Sequence, residues 1–347
     1  MTFDRGAMLT LLDEMLASHG PIGDEREIDA VVLREFDASG AHTWQDGMGN
    51  IVAHVPGKGP RVMVAAHKDE LGMIVSHMRG DGSLKVKALG GAFPWKYGEG
   101  PLDVIADDGG IVRAVLSFGS YHTMSGPIGE FRRGERTPTW DDVMLFTGQS
   151  AEQLLEHGVH IGSRVVMARE RKRLRRLPGG HIVGFGLDDR MGLAGLVFLL
   201  RQVMQETLAA DLYLTVTTSE ETGYLGAKRV AQVLRPEIVF ALDTGPVTPD
   251  TPTRLDARPI IWYDEESPNS LPDCNTLLRL ANKLGFGAQP VVYEYAGSDA
   301  GGVRRTGLAD RSVALGFPRI NSHGCEIAKA EALVNATRLL LAYLRQL

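Results

Sequence analysis

The sequence predicts an α/β protein, a doubly wound and mostly parallel sheet with helices on both faces, carrying a smaller inserted β-rich domain. Three observations predict it. Continuous apolar runs bounded by turn residues recur at 61–66 (RVMVAA), 211–218 (DLYLTVTT) and 238–242 (IVFAL). Runs this short and this apolar fit strands buried on both faces. Segments with helical spacing alternate with them, which places helices against a parallel sheet. Between about 71 and 166 the texture changes to dense glycine and turn residues separating short β-like pieces, the mark of an insertion.

The elements follow in order. Met8, Leu11, Leu12, Met15 and Leu16 give residues 6–18 an apolar helical stripe, and Ile28, Val31, Val32 and Phe36 do the same for 25–38. Gly40 is placed to cap the second. Asp46-Gly47-Met48-Gly49-Asn50 is turn chemistry between two extended pieces and predicts a hairpin. In the insertion, 72–77, 84–88, 104–105 and 111–117 read as strands, and the polar stretch Arg132–Arg136 as a mobile loop. Leu187-Asp188-Asp189-Arg190 opens a helix over 191–205. Further helices are expected at 225–233, 276–284 and 328–346, and strands at 290–295 and 312–315. The domains are therefore 1–71 with 166–347, and the inserted 72–165.

Composition narrows the function. The chain has 347 residues, 37 Lys+Arg and 43 Asp+Glu, a net charge of −6. An acidic balance argues against a nucleic-acid partner, which selects a basic face. Two cysteines, Cys274 and Cys325, exclude a disulfide framework and suit a reducing compartment. Asp4, Asp13 and Glu14 interrupt the N-terminal apolar pattern, unlike an export signal. The apolar stretch 192–200 is about half the ~20 residues of a membrane helix. The expectation is a soluble, cytoplasmic protein with no membrane partner.

Ligands of open α/β sheets bind beyond the carboxyl ends of the strands. His67 and Asp69 follow the 61–66 run, Glu220 and Glu221 the 211–218 run, and Asp243 the 238–242 run. Asp188 and Asp189 stand at a turn into a helix, and His323 precedes the last helix. Two histidines and several carboxylates without cysteine suit zinc, cobalt or manganese. A pair of ions needs a shared carboxylate with further His or carboxylate ligands on each side, and a carboxylate left free can take a proton from water. Each residue alone has an ordinary alternative: Asp188 or Asp189 as a helix N-cap, Glu220-Glu221 as acids favoured at a helix start. Their joint placement at strand ends favours a site. His54, His77, His157, His160 and His181 show no such placement and read as surface or core residues.

The ordered set His67-Lys68-Asp69-Glu70-Leu71-Gly72, Leu187-Asp188-Asp189-Arg190, Glu220-Glu221-Thr222-Gly223, Asp243, Gly297-Ser298-Asp299-Ala300-Gly301 and His323 resembles the tetrahedral (TET) aminopeptidases. These are dinuclear metallopeptidases of glutamyl-aminopeptidase and deblocking-aminopeptidase kind, with some endoglucanase-labelled relatives. The resemblance covers nearly the whole chain and implies a zinc-peptidase-like fold. It implies two divalent cations per chain, one on His67, Asp243 and Asp188, the other on Glu221, His323 and the shared Asp188. Glu220 would be general base and acid, Asp69 would hold the His67 ring, and Asp189 would contact the helix start. The Asp-Asp peptide would be cis.

The resemblance further implies peptide substrates and a homo-oligomer, dimers joined through the inserted domain and assembling to a dodecamer. The exposed Phe93-Pro94-Trp95 is compatible with that interface. Two departures stand out. The family's Arg-Tyr-x-His-Ser before the last ligand becomes Pro318-Arg319-Ile320-Asn321-Ser322-His323-Gly324-Cys325-Glu326. Lys68 replaces an apolar residue and would bring an ammonium to the cluster; Cys325 is expected to pack. The same ligands would serve a deacylase or amidohydrolase of N-acyl amino acids, because chemistry resides in the site and not the fold. A non-catalytic binding homologue is the third alternative. A glycosidase would need two metal-free carboxyls, which these acids do not offer.

Overall fold

A computed structural model describes residues 3–347. The main unit is built on a 12-stranded sheet and the second is a closed six-stranded barrel. Four parallel strands form the centre of the sheet, in the order Asp211–Thr217, Arg61–His67, Ile238–Pro246, Arg311–Ile320. Antiparallel strands flank them: Ile51–Val55 and His42–Gln45 on one side, Cys325–Lys329, His181–Phe185 and Arg175–Leu177 on the other.

The alternation of the extended chain splits the central strands between two cores. Val62, Val64 and Ala66 face the helices Arg5–Ala17, Arg26–Ser39, Leu187–Val203 and Ala330–Leu344. Met63 and Ala65 face the helices Leu225–Leu234 and Asp299–Arg305. The helix Leu187–Val203 is buried on nearly every side, which is why its sequence lacks a polar stripe. Its placement beneath the parallel strands carries Asp188 and Asp189 to their carboxyl ends.

The barrel strands run from Gly72–Met78 to Arg164–Met167. In Ile111–Ser117 Val112, Ala114 and Leu116 point inward and the alternate residues outward. The barrel leaves the sheet two residues after His67-Lys68-Asp69-Glu70 and so hangs beside the strand ends. Among the described residues no helix is long and apolar enough to cross a membrane.

The strands Arg164–Met167, Arg175–Leu177 and His181–Phe185 have no counterpart in the sequence reading, and three further differences have a clear physical reason. Residues 132–136 are not a mobile loop. The helix Gly126–Arg133 occupies the first half, Gly134 caps it in a left-handed conformation, and Arg136 pairs with Glu130 and Asp142. The charges that suggest solvent neutralise one another. The strand Ile260–Glu265 escapes the sequence reading because three acids at its end, Asp264 to Glu266, hide its apolar start. The strand Cys325–Lys329 precedes the last helix, which begins only at Ala330.

A buried polar network ties barrel to sheet. Lys172 Nζ donates to both Glu70 oxygens at 2.8 and 2.9 Å and lies 3.0 Å from His19 Nδ1. His19 Nε2 lies 2.9 Å from Asp103 of the barrel strand Gly100–Ile105. Burial alone would raise the Glu70 carboxyl, but Lys172 and Arg190 hold it below its usual range. Breaking a buried pair strands one charge, at about 3–5 kcal/mol, whereas exposed pairs contribute about 0–1 kcal/mol. Glu70→Gln is therefore expected to lower urea-unfolding stability by about 3 kcal/mol, while Arg5→Ala, which breaks the exposed Arg5–Glu331 pair, shifts it by under about 1 kcal/mol. Equal effects of the two substitutions contradict the strut role.

Candidate metal centre

Every site residue expected from the sequence lies at the carboxyl edge of the parallel strands. His67 is the last residue of its strand, 2% exposed. Asp243 lies in Ile238–Pro246 opposite Gly316. Asp188 and Asp189 open the helix Leu187–Val203 with non-helical backbone, joined by a cis peptide. Glu220 and Glu221 follow Asp211–Thr217 after Ser219, whose φ is +56°. His323 sits in the turn between Arg311–Ile320 and Cys325–Lys329.

Two groups of possible ligand atoms converge, each within 4.8 Å: His67 with Asp188 and Glu221, and His67 with Asp189 and Asp243. His67 Nε2 lies 3.4 Å from Asp188 Oδ1. His323 belongs to neither group but places Nε2 3.9 Å from Asp188 Oδ2. Asp188 thus stands between the two imidazoles. Asp189 is engaged elsewhere: one oxygen accepts the Gly192 N–H at 3.0 Å and the other the His67 N–H at 3.3 Å.

Asp69 meets the His67 ring through its backbone rather than its carboxylate. The His67 ring nitrogen Nδ1 meets the Asp69 carbonyl at 3.1 Å, with the carboxylate 3.7 Å away. That carboxylate instead accepts the backbone N–H groups of Glu220 and Glu221 at 3.1 and 3.2 Å. It fixes the loop that presents both acids. Lys68 does not reach the cluster either. On an extended segment it points opposite to its neighbours, and its Nζ pairs with Asp29 and donates to the Gly49 carbonyl.

The electrostatics of the cluster are set by burial and by its own charges. Burial would raise Asp188, but Arg319 and His67 hold it far below the usual carboxylate range. Glu221 is pushed up to about 8 by burial and by the charge of Asp188. Burial raises Glu220 despite the nearby His67, with Asp243 and Glu221 adding to the rise, and burial and Asp188 raise Asp243. Packing several carboxylates with this little cationic charge is costly unless a cation joins them. The donor set, imidazole and carboxylate oxygen, fits a hard-to-borderline divalent ion.

Sequence reasoning assigns no role to Arg319, Glu326, Thr244 or Gly91. Arg319 sits 4% exposed, donating to Asp188 Oδ2, to Glu326 at 2.6 Å and to Thr244 Oγ1 at 2.6 Å. Glu326 also accepts the backbone N–H groups of Asp188 at 3.0 Å and His323 at 3.2 Å. One buried ion pair therefore positions two proposed ligands. The available signal is an arginine and a glutamate bracketing the last histidine. The resembled family pattern places the arginine three residues before that histidine; Arg319 stands four before His323. Asn321 and His323 stand at φ +64° and +60°, in left-handed backbone. The His323 ring contacts the Gly91 carbonyl of the barrel side at 3.1 Å, and a Cβ at Gly91 would stand 2.7 Å from it.

Cys325 is partly buried in its strand and is no member of the converging groups. His54, His157, His160 and His181 make local contacts, such as His54 with Asp211 and His160 with Asp107. A cleft of about 600 Å³ opens over the cluster and is lined by His67, Asp188, Glu220, Glu221, Asp243 and His323.

Comparison with known proteins identifies the family. Residues 49–339 match the family model described as M42 glutamyl aminopeptidase. The lysyl aminopeptidase of Pyrococcus furiosus is 30% identical over 204 residues, 57% of this chain and 55% of that protein. The glutamyl aminopeptidase of Lactococcus lactis subsp. cremoris is 26% identical over 332 residues, 92% of this chain and 90% of that one. The solved structure of the TET1 peptidase of Pyrococcus horikoshii superposes with a TM-score of 0.85 at 25% identity, covering 98% and 100% of the two chains. With the match spanning most of its length, and the sheet, barrel and strand-end cluster in place, the chain belongs to the M42 glutamyl aminopeptidase family and is an aminopeptidase.

Proposed function

We propose that the chain removes N-terminal residues from peptides at a centre holding two divalent cations, zinc or cobalt, with manganese an alternative. The observation that supports this most is the meeting of both imidazoles on Asp188, with Glu221 and Asp243 each converging on His67. His67 and Asp243 would hold one cation, Glu221 and His323 the other, and Asp188 would bridge. Cations bound there would supply Lewis acidity to the scissile carbonyl and make a water easier to deprotonate.

The chain's own residues supply the rest. Glu220 stands outside both converging groups, lines the cleft and is presented by the Asp69 clamp. Its carboxylate accepts a proton as water oxygen bonds to the scissile carbonyl carbon. It returns that proton to the nitrogen as the C–N bond breaks, so the products are an amino acid and a shortened peptide. Arg319 fixes the orientation of Asp188, and Glu326 fixes the His323 backbone.

The TET1 peptidase of Pyrococcus horikoshii can assemble into a tetrahedron or a large octahedral shell. We extend a closed homo-oligomer to this chain, dimers joined through the barrel and built up to a dodecamer, in the cytoplasm. Exposed Phe93 and Trp95 on the barrel side, 51% and 50% accessible in one chain, are compatible with that contact.

Two outcomes test this reading. Glu220→Gln is expected to lower kcat on aminoacyl anilides by about 10²–10⁴-fold, while plasma emission spectrometry still finds two cations per chain. Retained turnover overturns the base assignment, and a loss of bound metal makes Glu220 a ligand. Sedimentation velocity is expected to show a dodecamer, and Trp95→Asp to shift it toward smaller species; a wild-type monomer contradicts the assembly.

A further inference from the structure

The reaction as written leaves one motif idle, Gly297-Ser298-Asp299-Ala300-Gly301. It forms the entry to the helix Asp299–Arg305, and the Ser298 hydroxyl accepts the Ala300 N–H at 3.2 Å. Asp299 is buried and stands outside the cleft lining. Thr217 Oγ1 lies 2.5 Å from Asp299 Oδ2 and 3.3 Å from the Ala66 carbonyl. A hydroxyl has one hydrogen, and the nearer carboxylate oxygen takes it. The other oxygen, Oδ1, is buried without a partner among the described residues. A helix start favours an acid, yet a buried carboxyl that satisfies a single hydroxyl works against folding. That points to a task other than stability.

Thr217 ends the strand Asp211–Thr217 opposite His67, three residues before Glu220. Its hydroxyl bond therefore holds the strand end from which the acid-bearing turn departs. The same segment holds the far side of the turn. The Glu220 carbonyl accepts the N–H groups of Gly223 and Tyr224 at 2.9 and 3.0 Å. Tyr224, left-handed at φ +60°, then lays its ring into a slot between two glycines. A Cβ at Gly297 would stand 2.1 Å from its hydroxyl, and one at Gly302 2.4 Å from the ring. Lys228 Nζ lies 5.4 Å from the ring centroid and donates to the Gly223 carbonyl at 2.9 Å, which fastens ring and turn together. Residues 297–302 thus meet the turn at both ends, while the Asp69 carboxylate holds its middle.

We propose that Asp299 is a positioning residue for the general base: it accepts from Thr217 and, with the glycine slot that seats Tyr224, sets where the Glu220 carboxylate stands over the cleft. The inference rests on the aminopeptidase reading and on Glu220 as its base. Rate depends steeply on geometry at a reacting centre, a displacement of about 1 Å costing up to about 10²-fold. Loss of the anchor therefore acts on kcat. It spares substrate affinity and the cations, which other side chains hold.

The test pairs kinetics on the metal-loaded protein with amide hydrogen exchange over residues 217–226, read by mass spectrometry on the protein as purified. Asp299→Ala and Thr217→Val each remove the bond and are expected to lower kcat on aminoacyl anilides by at least ~tenfold, with KM and cation content unchanged. Asp299→Asn keeps an acceptor and Thr217→Ser a donor, and both are expected to retain turnover, a rescue that a role for the charge of Asp299 would not give. Exchange over 217–226 is expected to quicken in the first two variants and to match wild type in the second two. Gly302→Ala leaves the hydrogen bond but fills the slot beneath Tyr224, and is expected to lower kcat likewise. Where Asp299→Ala does not fold, Thr217→Val and Gly302→Ala carry the test. Unchanged kcat in Thr217→Val, a change in KM alone, loss of bound cation or failure of Asp299→Asn to retain turnover overturns the proposal. If the wild-type protein cleaves no anilide, the aminopeptidase reading fails, and exchange still decides the anchor. Faster exchange in Asp299→Ala and Thr217→Val, absent from Asp299→Asn and Thr217→Ser, upholds it, and equal exchange in all four overturns it.

Discussion

Crowding of like charge at the carboxyl edge of four parallel strands is the constraint on which this structure depends. Asp188, Glu220, Glu221 and Asp243 are brought together from separate segments and largely withdrawn from water. Alone, such a cluster works against folding, since burial and mutual repulsion drive most of its members toward the neutral form. The arrangement makes physical sense as a cradle for positive charge. The apolar strands and the helix Leu187–Val203, buried on nearly every side, supply the stability that lets the cluster persist.

Around the cradle, the chain spends its polar contacts on position. Asp69 holds the loop carrying Glu220 and Glu221 by two backbone N–H groups. Arg319 and Glu326 form one buried pair that reaches Asp188 and the backbone of His323. The Glu70–Lys172–His19–Asp103 network fastens the barrel, whose Gly91 carbonyl in turn meets His323. Barrel and sheet are thus mechanically joined at the site, so the orientation of one bears on the geometry of the other. The network lies one residue from Asp69, which links global stability to the placement of the acids.

Much of this is legible in the amino-acid sequence. The apolar runs ending in His67, Glu220-Glu221 and Asp243 mark both the central strands and the edge where a ligand would sit, because buried parallel strands leave a strong local signature. The direction of Lys68 is misread from the sequence: its ammonium turns away from the cluster to Asp29 and the Gly49 carbonyl, partners that lie far off in the chain. The features that stay hidden depend on distant partners. Arg319 and Glu326 look like ordinary charges until a hairpin brings them together. The strand Ile260–Glu265 is masked by the acids at its end. The 132–136 stretch looks solvated because its ion-pair partners lie outside it.

The central claim is that the strand-end cluster is a two-cation site organised on Asp188. Anomalous diffraction at the zinc edge, on crystals soaked in zinc, tests it most directly. The account predicts two peaks flanking the Asp188 carboxylate, one beside His67 and Asp243 and one beside Glu221 and His323. A single peak remote from Asp188, or no peak among these five side chains, would contradict it.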